Sequence, residues 1–527
     1  MLFFGSISIK NFQVKKSQLN FKYTSIMNSI LPPEIISKIF EHLSRSERFT
    51  AAGVCRQWYD LAFGPKFCRE LCIQLNSKKQ GLTTFRESIL WNRSRKASIR
   101  CDELNNDTKM LLKEFLENAP LEWFHIDGDS GLVQDLLVQK MPHLTHFSVY
   151  LHPNETQSGD VNFQIEFDSL KCLNLRAPLS NALTLDVNCP NLITVNMVVL
   201  NDDCISVITK LRKQLEGLEI SVTSAVSLNQ LAMKPFDKLI TLALWVTPQA
   251  EELQQVLEQT PYLEDMYLNV GYSDTIVGGC FSSLKNLKTL SLVGIKIDAI
   301  LFFGTMHKMT KLEKLSLERC SFVSEQTSQK MTVVSESITS FTLSNENENF
   351  VLPNFPNLED LTFLYSCQPA VDVLGIICHQ YTKLKRLNFG GNPGIISMFH
   401  QRTSIAYLNK LKLLNNIQFS RLSLQDYDWV SCGDLKIQKL RLVGCMIDGT
   451  GAQQIVQTFP ELREFFIDNS YLRQPSEVFE IDENCTRGLR SFVPNCRVSY
   501  YDCHIEARYD MCAGRSLPVM EIYRNVY

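Results

Sequence analysis

From about residue 100 to residue 470, the chain repeats one pattern of apolar and variable positions. Each copy has an apolar residue, two variable residues, a second apolar residue, one variable residue and a third apolar residue. In PNLITVNM, for example, the three apolar positions are Leu192, Val195 and Met197. First positions at 144, 170, 192, 215, 239, 263, 287 and 312 are separated by 22 to 26 residues. The pattern is therefore an internal repeat, with about fifteen copies in this part of the chain.

Each copy predicts one β-strand, because apolar residues at every second position bury one face of a strand and leave the other exposed. Between the copies lie segments with apolar residues at three- and four-residue spacing, which is the pattern of an amphipathic helix. These segments are LVQDLLVQKMP, CISVITKLRKQ, AEELQQVLEQTP and VDVLGIICHQY. Neighbouring strands stack about 4.8 Å apart whereas helices are about 10 Å wide, so an array of such units bends with its strands inside.

The repeat period is that of leucine-rich repeats. The expected fold is an α/β solenoid, a leucine-rich-repeat horseshoe with parallel strands on the concave face and helices on the convex face. A weaker copy at Leu121 opens the series. The long interval after Leu384 is expected to hold one irregular copy, with FSRLSL beginning at Phe419.

Composition adds limits on the partners. The 527 residues are 45% hydrophobic and 21% charged, with a formal net charge of -3. This balance gives no global field that would attract nucleic acid or an anionic membrane, so protein partners are expected. No stretch approaches the roughly 18 apolar residues of a membrane helix, and the N-terminal segment lacks the features of a secretory signal.

The seventeen cysteines follow no fixed spacing. Without a secretory signal they are interpreted as reduced thiols, which places the protein in the cytoplasm and/or nucleus. Cys320, Cys367 and Cys445 each come three residues after the last apolar position of a copy. The leucine-rich-repeat pattern has an inward Asn or Cys at that place, so these three thiols are expected to be buried.

Short amphipathic helices are predicted before the repeats, within LPPEIISKIFEHLSRSERFTAAGVCRQWYDLA at residues 31–62. Pro33 suits a first helical turn and Glu34 a helix start. The segment fits the pattern Leu-Pro-x-Glu-Ile, then Ile-Phe-x-x-Leu, then Val-Cys-Arg-x-Trp, and so resembles the F-box. It departs at Arg48, where the family usually has an apolar residue, and Phe49 is expected to supply that contact. A small three-helix F-box is therefore expected to precede the solenoid.

An F-box followed by leucine-rich repeats resembles the substrate-recognition subunits of Skp-cullin-F-box ubiquitin ligases. The resemblance implies that the F-box docks on a Skp-type adaptor, and through it on cullin and a RING protein, while the repeats hold the protein substrate. The adaptor-binding residues that it implies are Leu31, Pro32, Glu34, Ile35, Ile39, Phe40, Leu43, Phe49, Val54, Cys55 and Trp58.

Substrate contacts are expected from the residues that flank the buried leucines on the concave face. Aromatic and Arg side chains are favoured as hot spots of protein interfaces. A phase error of one residue would turn each of them inward. The candidates are Trp245, Tyr267, Arg319, Tyr365, Arg386, Arg441 and Phe466.

No catalytic, metal-binding or cofactor-binding motif is recognised, so neither an enzyme nor a cofactor is expected. GGNPG at Gly390 is interpreted as a turn after a strand. The basic stretch at residues 78–100 could bind acidic partners, although a solvated face is favoured. A C-terminal cap is preferred over a zinc site, because the spacing fits no usual ligand pairing. The zinc ligands would have been Cys485, Cys496, Cys503, His504 and Cys512.

The expected domain order has five parts. They are a flexible N-terminal extension (1–26), an F-box domain (27–75), a basic linker and N-terminal cap (76–99), leucine-rich repeats (100–470) and a C-terminal cap or tail (471–527). A non-degradative interaction scaffold remains an alternative function. A secreted or receptor-type leucine-rich-repeat protein would need a signal peptide and paired terminal cysteines, and neither is visible.

Overall fold

Strands and helices alternate along the computed structural model, as the repeat predicts. The structure describes residues 7–8, 31–76, 79–88, 90–101, 105–137, 140–152, 161–177, 183–198, 203–222, 225–246, 250–270, 276–277, 279–323, 335–345, 352–365, 373–391, 405–422, 424, 429–445, 447, 449–468 and 497–501. These residues fall into two compact units, which divide between residues 221 and 222.

Short helices open the first unit, in the segment that resembles the F-box. They are α1 (Pro33–His42), α2 (Arg45–Ala52), α3 (Arg56–Ala62) and α4 (Pro65–Cys68). The Ser44 hydroxyl caps α2 by accepting from the Glu47 N–H at 3.4 Å, and the Glu47 carboxylate accepts from the Ser44 N–H at 2.7 Å. Such a reciprocal pair satisfies N–H groups that a helix start otherwise leaves open. The predicted helical character of this region is confirmed.

Parallel strands make up most of the rest of the first unit. The strands are β1 (Ile7–Ser8), β2 (Cys72–Asn76), β3 (Lys96–Cys101), β4 (Trp123–Gly128), β5 (His146–Leu151), β6 (Val161–Ile165), β7 (Cys172–Arg176), β8 (Leu183–Val187), β9 (Thr194–Val198) and β10 (Gly217–Val222). The helices among them are α5 (Lys79–Arg86), α6 (Asn106–Asn118), α7 (Ser130–Leu137) and α8 (Asp203–Leu211). Strands β1 to β5, β7, β9 and β10 pair in that order, all parallel. Strands β6 and β8 form a separate parallel pair.

The second unit repeats this arrangement. Its strands are β11 (Thr241–Val246), β12 (Asp265–Asn269), β13 (Ile276–Val277), β14 (Thr289–Val293), β15 (Lys296–Asp298), β16 (Lys314–Glu318), β17 (Ser321–Val323), β18 (Ser340–Asn345), β19 (Asp360–Tyr365), β20 (Arg386–Gly391), β21 (Asn416–Ser420), β22 (Lys439–Val443), β23 (Glu464–Asp468) and β24 (Arg497–Tyr501). A long parallel sheet contains all of them except β13, β15 and β17, which pair with one another.

Helices in the second unit connect successive strands. The α-helices are α9 (Ala225–Ala232), α10 (Ala250–Glu258), α11 (Ala299–Thr305), α12 (Val373–Gln380) and α13 (Gly449–Thr458). Short 3-10 helices take this place in other repeats, at Gly279–Ser283, Met306–Lys308, Ile405–Lys410 and Trp429–Cys432. All four segments predicted as amphipathic helices contain an α-helix, namely α7, α8, α10 and α12.

The apolar positions of each copy form the core. In β14, Leu290 and Leu292 are fully buried while Ser291 between them is half-exposed. Leu287, the first apolar position of the same copy, is also fully buried. Each such side chain contributes about 1.5 to 3 kcal/mol by leaving water, so the repeated leucines supply most of the energy that holds the strand stack together.

Backbone hydrogen bonds set the register from one copy to the next. The N–H groups of Lys288 and Thr289 both donate to the carbonyl of Glu264, at 2.7 and 3.0 Å. One turn of the array later, the N–H groups of Glu313 and Lys314 both donate to the carbonyl of Lys288, at 2.9 and 3.0 Å. Because two successive N–H groups share one carbonyl in the same way in both copies, β14 and β16 each start in the same register relative to the strand before them.

The turn after several strands uses a left-handed backbone. The φ angle is 71° at Gly294, 52° at both Arg319 and Arg421, and 59° at Gly444. The N–H of Arg421 donates to the carbonyl of Val443 at 2.9 Å, so hydrogen bonding between β21 and β22 continues one residue beyond the end of β21. Glycine enters this conformation without strain, whereas an arginine there costs about 1 to 2 kcal/mol.

The cysteines that follow these turns point inward. Cys320 and Cys445 are 1% and 0% exposed. The Cys320 thiol donates to the carbonyl of Leu292 at 3.4 Å, and the Cys445 thiol donates to that of Phe419 at 3.3 Å. Their predicted burial is confirmed, while Cys367 lies outside the described residues.

The irregular copy after Leu384 differs from the prediction. Its strand is β21, and its buried positions are Leu414, Ile417 and Phe419. Phe419 is therefore the last apolar position of the copy and not the first, because it pairs with Phe389 and Leu442 at the ends of the neighbouring patterns. The predicted phase was wrong there by five residues, since the run after Phe419 offered a second apolar alternation.

Each unit by itself has the expected architecture, an α/β solenoid of strand-and-helix repeats, and in the first unit a helical segment precedes most of the repeats. The segment predicted as a basic linker and cap, 76–99, contains α5 and most of β3, and both β2 and β3 extend the parallel stack. Among the described residues, no helix combines the length and apolar character needed to cross a membrane.

Candidate functional site

One face of α1 exposes apolar side chains, and a further apolar side chain is exposed after α2. Ile35 and Ile39 of α1 are 42% and 45% exposed, and Val54, between α2 and α3, is 41% exposed. Ile35 and Ile39 lie four residues apart, so they occupy the same side of the helix. Ile36 and Phe40, one position further along, turn inward and are 2% and 0% exposed.

The remaining predicted adaptor-binding residues surround this face or support it. Pro32 and Glu34 are exposed, and Leu31, Leu43, Phe49, Cys55 and Trp58 are half-buried. Phe40 is part of the core, where its ring meets Trp58 edge-on at a centroid distance of 5.6 Å. Phe40 is therefore not accessible to a partner in this conformation, and its side chain packs α1 against α3.

Arg48 occupies the position where the family usually has an apolar residue. Its guanidinium lies 4.6 Å from the ring centroid of Phe67 and donates a 2.7 Å hydrogen bond to Glu70. The side chain of Arg48 is only 16% exposed. The apolar stem and the planar cation thus fill the site that an aliphatic side chain would fill, and Phe49 packs beside it against Phe63 at 5.5 Å.

The predicted substrate-binding residues lie on the second unit, and all of them except Arg319 and Tyr365 lie on the strand face. By strand face we mean the surface made by strand side chains that alternate with the buried ones. Trp245 and Tyr267 lie on neighbouring strands with ring centroids 5.5 Å apart, and the Asn269 amide donates to the Tyr267 hydroxyl at 3.2 Å. Arg441 and Phe466, also on neighbouring strands, form a cation–π contact of 4.7 Å.

These two pairs do not form one pocket. Seven strand steps separate Tyr267 on β12 from Arg441 on β22, which corresponds to about 34 Å along the stack. Between them, Arg386 forms an ion pair with Asp360, and Arg319 sits in a left-handed turn. The face therefore offers two separate aromatic sites.

Tyr365 is an exception to the predicted phase. It is the sixth residue of β19 and is 4% exposed. Its ring lies 5.8 Å from that of Phe389 on the next strand. Alternation turns the sixth residue to the same side as the second and fourth, so Tyr365 joins the core and Leu364 takes the outward place.

A further group of polar and aromatic residues, which sequence reasoning missed, lies on the strand face of the first unit. His125 Nδ1 is 3.0 Å from the Ser148 hydroxyl, and the His125 ring stacks on Trp123 at 6.1 Å. His152 contacts the carboxylate of Asp127. The signal that could have found them was the weak copy at Leu121, whose outward positions are Trp123, His125 and Asp127.

Two histidines of this group have lowered pKa values. Burial lowers the pKa of His125, and Arg176 acts in the same direction while Asp127 opposes it. The pKa of His146 is lowered first by burial and then by Lys96 and Lys171. Both histidines are therefore held in the neutral form near pH 7.

Metal ligation has little support in the described part of the chain. No group of three or more His, Cys, Asp or Glu side chains there has the arrangement of a metal site. The cysteines and the histidine considered as a zinc site, at positions 485 to 512, lie outside the described residues.

Comparison with known proteins identifies the helical segment. The F-box-like family matches residues 29–74. No curated protein matches the chain. A leucine-rich-repeat protein of Leptospira interrogans is 16% identical, with 81% of this chain and 99% of that chain covered and a TM-score of 0.42. An internalin, InlF, of Listeria monocytogenes is 16% identical, with 55% and 76% covered and a TM-score of 0.34. The structure of the TLR13–ssRNA13 complex is also 16% identical, with 82% and 68% covered and a TM-score of 0.47.

The repeats are established by the period, strand register and burial of this chain. Both parts of the chain are modules for protein interaction. The protein is accordingly an F-box and leucine-rich-repeat protein, with an F-box-like domain at residues 29–74 followed by an α/β solenoid.

Proposed function

We propose that the protein is the substrate-recognition subunit of a Skp-cullin-F-box ubiquitin ligase. In this proposal the F-box-like domain docks on a Skp-type adaptor, and the strand faces of the repeats bind the protein to be ubiquitinated. The observation that carries it is the exposed apolar face of α1 made by Ile35 and Ile39, together with the exposed Val54, within the matched domain. Exposed apolar residues clustered on one face are typical of an interface that is covered by a partner.

Burial of the exposed apolar side chains would make a measurable contribution to adaptor binding. A fully exposed Ile gains about 1.5 to 3 kcal/mol on burial, so a side chain that is 42% or 45% exposed still gains about 0.7 to 1.3 kcal/mol. Truncation of Ile35 and Ile39 together should therefore weaken adaptor binding about ten- to fiftyfold, since each 1.4 kcal/mol is a factor of ten.

The protein's contribution to ubiquitin transfer is positional. It brings a lysine of the bound substrate near the charged conjugating enzyme and makes no bond itself, which is catalysis by proximity. No cofactor is required for this role. The reduced thiols of Cys68, Cys320 and Cys445 support a reducing compartment, such as the cytoplasm or nucleus.

The test is co-precipitation of the full chain with a Skp-type adaptor, cullin and RING protein. The variant is Ile35→Ala with Ile39→Ala, and the matched control is Met110→Ala with Met233→Ala, two side chains 63% and 73% exposed outside the F-box-like domain. We expect the first pair to lose the adaptor and the control pair to retain it. Equal recovery of the adaptor by both variants, with both folded by circular dichroism, would refute the docking face.

A non-degradative scaffold remains the second candidate. It shares the adaptor contact, so the discriminating measurement is ubiquitin transfer to co-purified proteins in the reconstituted complex. Transfer that requires the F-box-like domain supports the ligase, whereas adaptor binding without cullin and without transfer supports the scaffold.

The substrate is expected at the two aromatic sites of the second unit. Tyr267→Ala and Phe466→Ala each remove one side of a pair, the first with Trp245 and the second with Arg441. Affinity proteomics under proteasome inhibition should show which associated proteins are lost with each variant, while recovery of the adaptor stays unchanged.

A further inference from the structure

The outward residues of β3, β4, β5 and β7 form one surface on the first unit, which we call the basic strand face. Strict parallel register places them in three rows across the four strands. The rows are Lys96, Trp123, His146 and Cys172; then Ser98, His125, Ser148 and Asn174; then Arg100, Asp127, Tyr150 and Arg176.

The size of this face matches a short stretch of extended chain. Four strands about 4.8 Å apart span about 14 Å, and three outward positions about 6.6 Å apart span about 13 Å. An extended peptide advances about 3.3 Å per residue, so about four of its residues would cross the face.

The net charge of the face is positive. Its twelve positions include the cations Lys96, Arg100 and Arg176 and a single acid, Asp127. Asp127 already contacts His152, and its other oxygen lies 3.9 Å from Arg100. Lys96 and Arg100 belong to the basic stretch at residues 78–100. The fold places these two residues on β3 and not in a solvated linker.

The positive field acts at both edges of the face. At one edge, Lys96 and Lys171 are close enough to add to the lowering of the His146 pKa. At the other, Arg176 also acts to lower the pKa of His125, although the larger opposing effect of Asp127 offsets it there. The two arginines of the third row are three strand steps apart, about 14 Å, so the cations are spread over the face and do not converge on one point.

Aromatic surfaces are fixed in place among these charges. Trp123 lies stacked on His125 with an interplanar angle of 24°, and Ser148 holds the His125 ring through Nδ1. Tyr150 is 45% exposed and meets His152 edge-on at 5.4 Å. Aromatic rings held in this way bind a partner at little cost in conformational entropy.

We propose that the basic strand face binds an extended acidic segment of a partner protein, with carboxylates distributed along it, one aromatic or apolar side chain set against Tyr150 and another set against Trp123. Cations spread over about 14 Å fit several carboxylates better than one phosphate group, which would need the arginines to converge. The proposal deepens the proposed function, since the segment would belong to the substrate, but peptide binding needs no adaptor.

The test uses the full chain and fluorescence anisotropy of a short labelled peptide of alternating Glu and Tyr. Two further probes are a matched peptide of alternating Lys and Tyr and an oligouridylate of similar length. The variant Lys96→Gln with Arg100→Gln is compared with the control Lys285→Gln with Lys308→Gln, which neutralises two exposed lysines of the second unit. Tyr150→Ala is compared with Tyr150→Phe.

We expect the Glu-Tyr peptide to bind, and its affinity to fall as salt rises and the screening length drops to about 8 Å. Neutralising Lys96 and Arg100 should weaken it about fivefold or more, since two of the three cations of the face are then lost. The control pair and Tyr150→Phe should bind as the unaltered chain does, and Tyr150→Ala should bind several-fold more weakly.

Three results would overturn the proposal. The first is no binding of the acidic peptide at low salt, and the second is equal affinity of the Lys96 and Arg100 variant and the unaltered chain for that peptide. The third is tighter binding of the oligouridylate than of the acidic peptide, with oligouridylate binding lost in the same variant. That third result would assign the face to single-stranded nucleic acid. The Ile35 and Ile39 variant should bind the peptide normally. Loss of the adaptor with peptide binding retained would therefore separate failure of the proposed function from failure of this inference.

Discussion

In the F-box-like domain, Arg48 donates a 2.7 Å hydrogen bond to Glu70 across 22 residues of chain. Its guanidinium also lies 4.6 Å from the ring centroid of Phe67. The bond joins α2 to the residues that follow α4, so it closes the helical domain on itself. Arg48, which departs from the family pattern in the sequence, thus links two parts of the helical domain in the fold.

Replacing this arginine should loosen the domain without unfolding the repeats. For Arg48→Ala we expect a loss of about 1 kcal/mol, the sum of a partly exposed ion pair and a cation–π contact. Hydrogen exchange of the α2 amides should then quicken about fivefold. Arg48→Leu restores the apolar contact with Phe67 and should recover much of the protection. Unchanged exchange in Arg48→Ala would show that the contact contributes nothing.

Adjacent residues of α1 should behave in opposite ways. Phe40 is 0% exposed, so Phe40→Ala should destabilise the domain by about 3 to 5 kcal/mol and raise hydrogen exchange throughout α1 and α3. Ile39 is 45% exposed, so Ile39→Ala should leave exchange within about 0.5 kcal/mol of the unaltered chain while weakening adaptor binding. If Phe40→Ala stayed fully protected, the assignment of Phe40 to the core would be wrong.

Glycine 390 should tolerate no side chain. Gly390 has φ of 141°, and a Cβ at this position would lie 1.9 Å from the carbonyl oxygen of Ser420 on the next strand. We expect Gly390→Ala to cost more than about 3 kcal/mol, measured as a lower midpoint of thermal unfolding. In α11, a Cβ at Gly304 would meet nothing within 4 Å, so Gly304→Ala should be neutral or stabilise by about 0.5 to 1 kcal/mol.

The inward cysteines should resist alkylation over a wide pH range. Burial raises the pKa of Cys320 and of Cys445 to about 12 in each case, so almost no thiolate forms at pH 8 to 9. In the native chain, mass spectrometry after iodoacetamide treatment should find both unmodified when the half-buried Cys172 has begun to react. Denaturant should expose all three to labelling. Early modification of Cys320 in the native state would contradict its inward position.

Acid should weaken the first unit through its histidines. The pKa values of His125 and His146 lie below the ordinary 6.5, so the unfolded chain binds more protons than the folded one in mildly acidic solution. Stability is then fully present above about pH 6.5 and is lost as pH falls through the lowered folded values. We expect His125→Asn to flatten the fall in unfolding midpoint between about pH 7 and pH 5. Identical pH profiles for His125→Asn and the unaltered chain would contradict a titration coupled to folding.

The sequence by itself determined the kind of fold. Apolar residues such as Leu290 and Leu292 recur at every second position within each copy, and the copies themselves recur every 22 to 26 residues. Both periods can be counted directly in the amino-acid sequence. Burial of those positions requires strands stacked in register, because one copy alone cannot cover its own apolar face. The F-box-like helices were likewise evident, since their capping residues and apolar spacing lie within a few turns of one another.

Tertiary structure alone decided which outward residues meet and where the phase breaks. Lys96 and Arg100, both on β3, are distant in sequence from Arg176 on β7, and only the pairing of β3, β4, β5 and β7 brings them onto one face. Tyr365 turned inward because β19 continues for one residue beyond the common pattern. Since alternate strand residues point to opposite sides, a shift of one residue reverses every orientation, and the hydrogen bonds to the neighbouring strand, not the local sequence, fix that count.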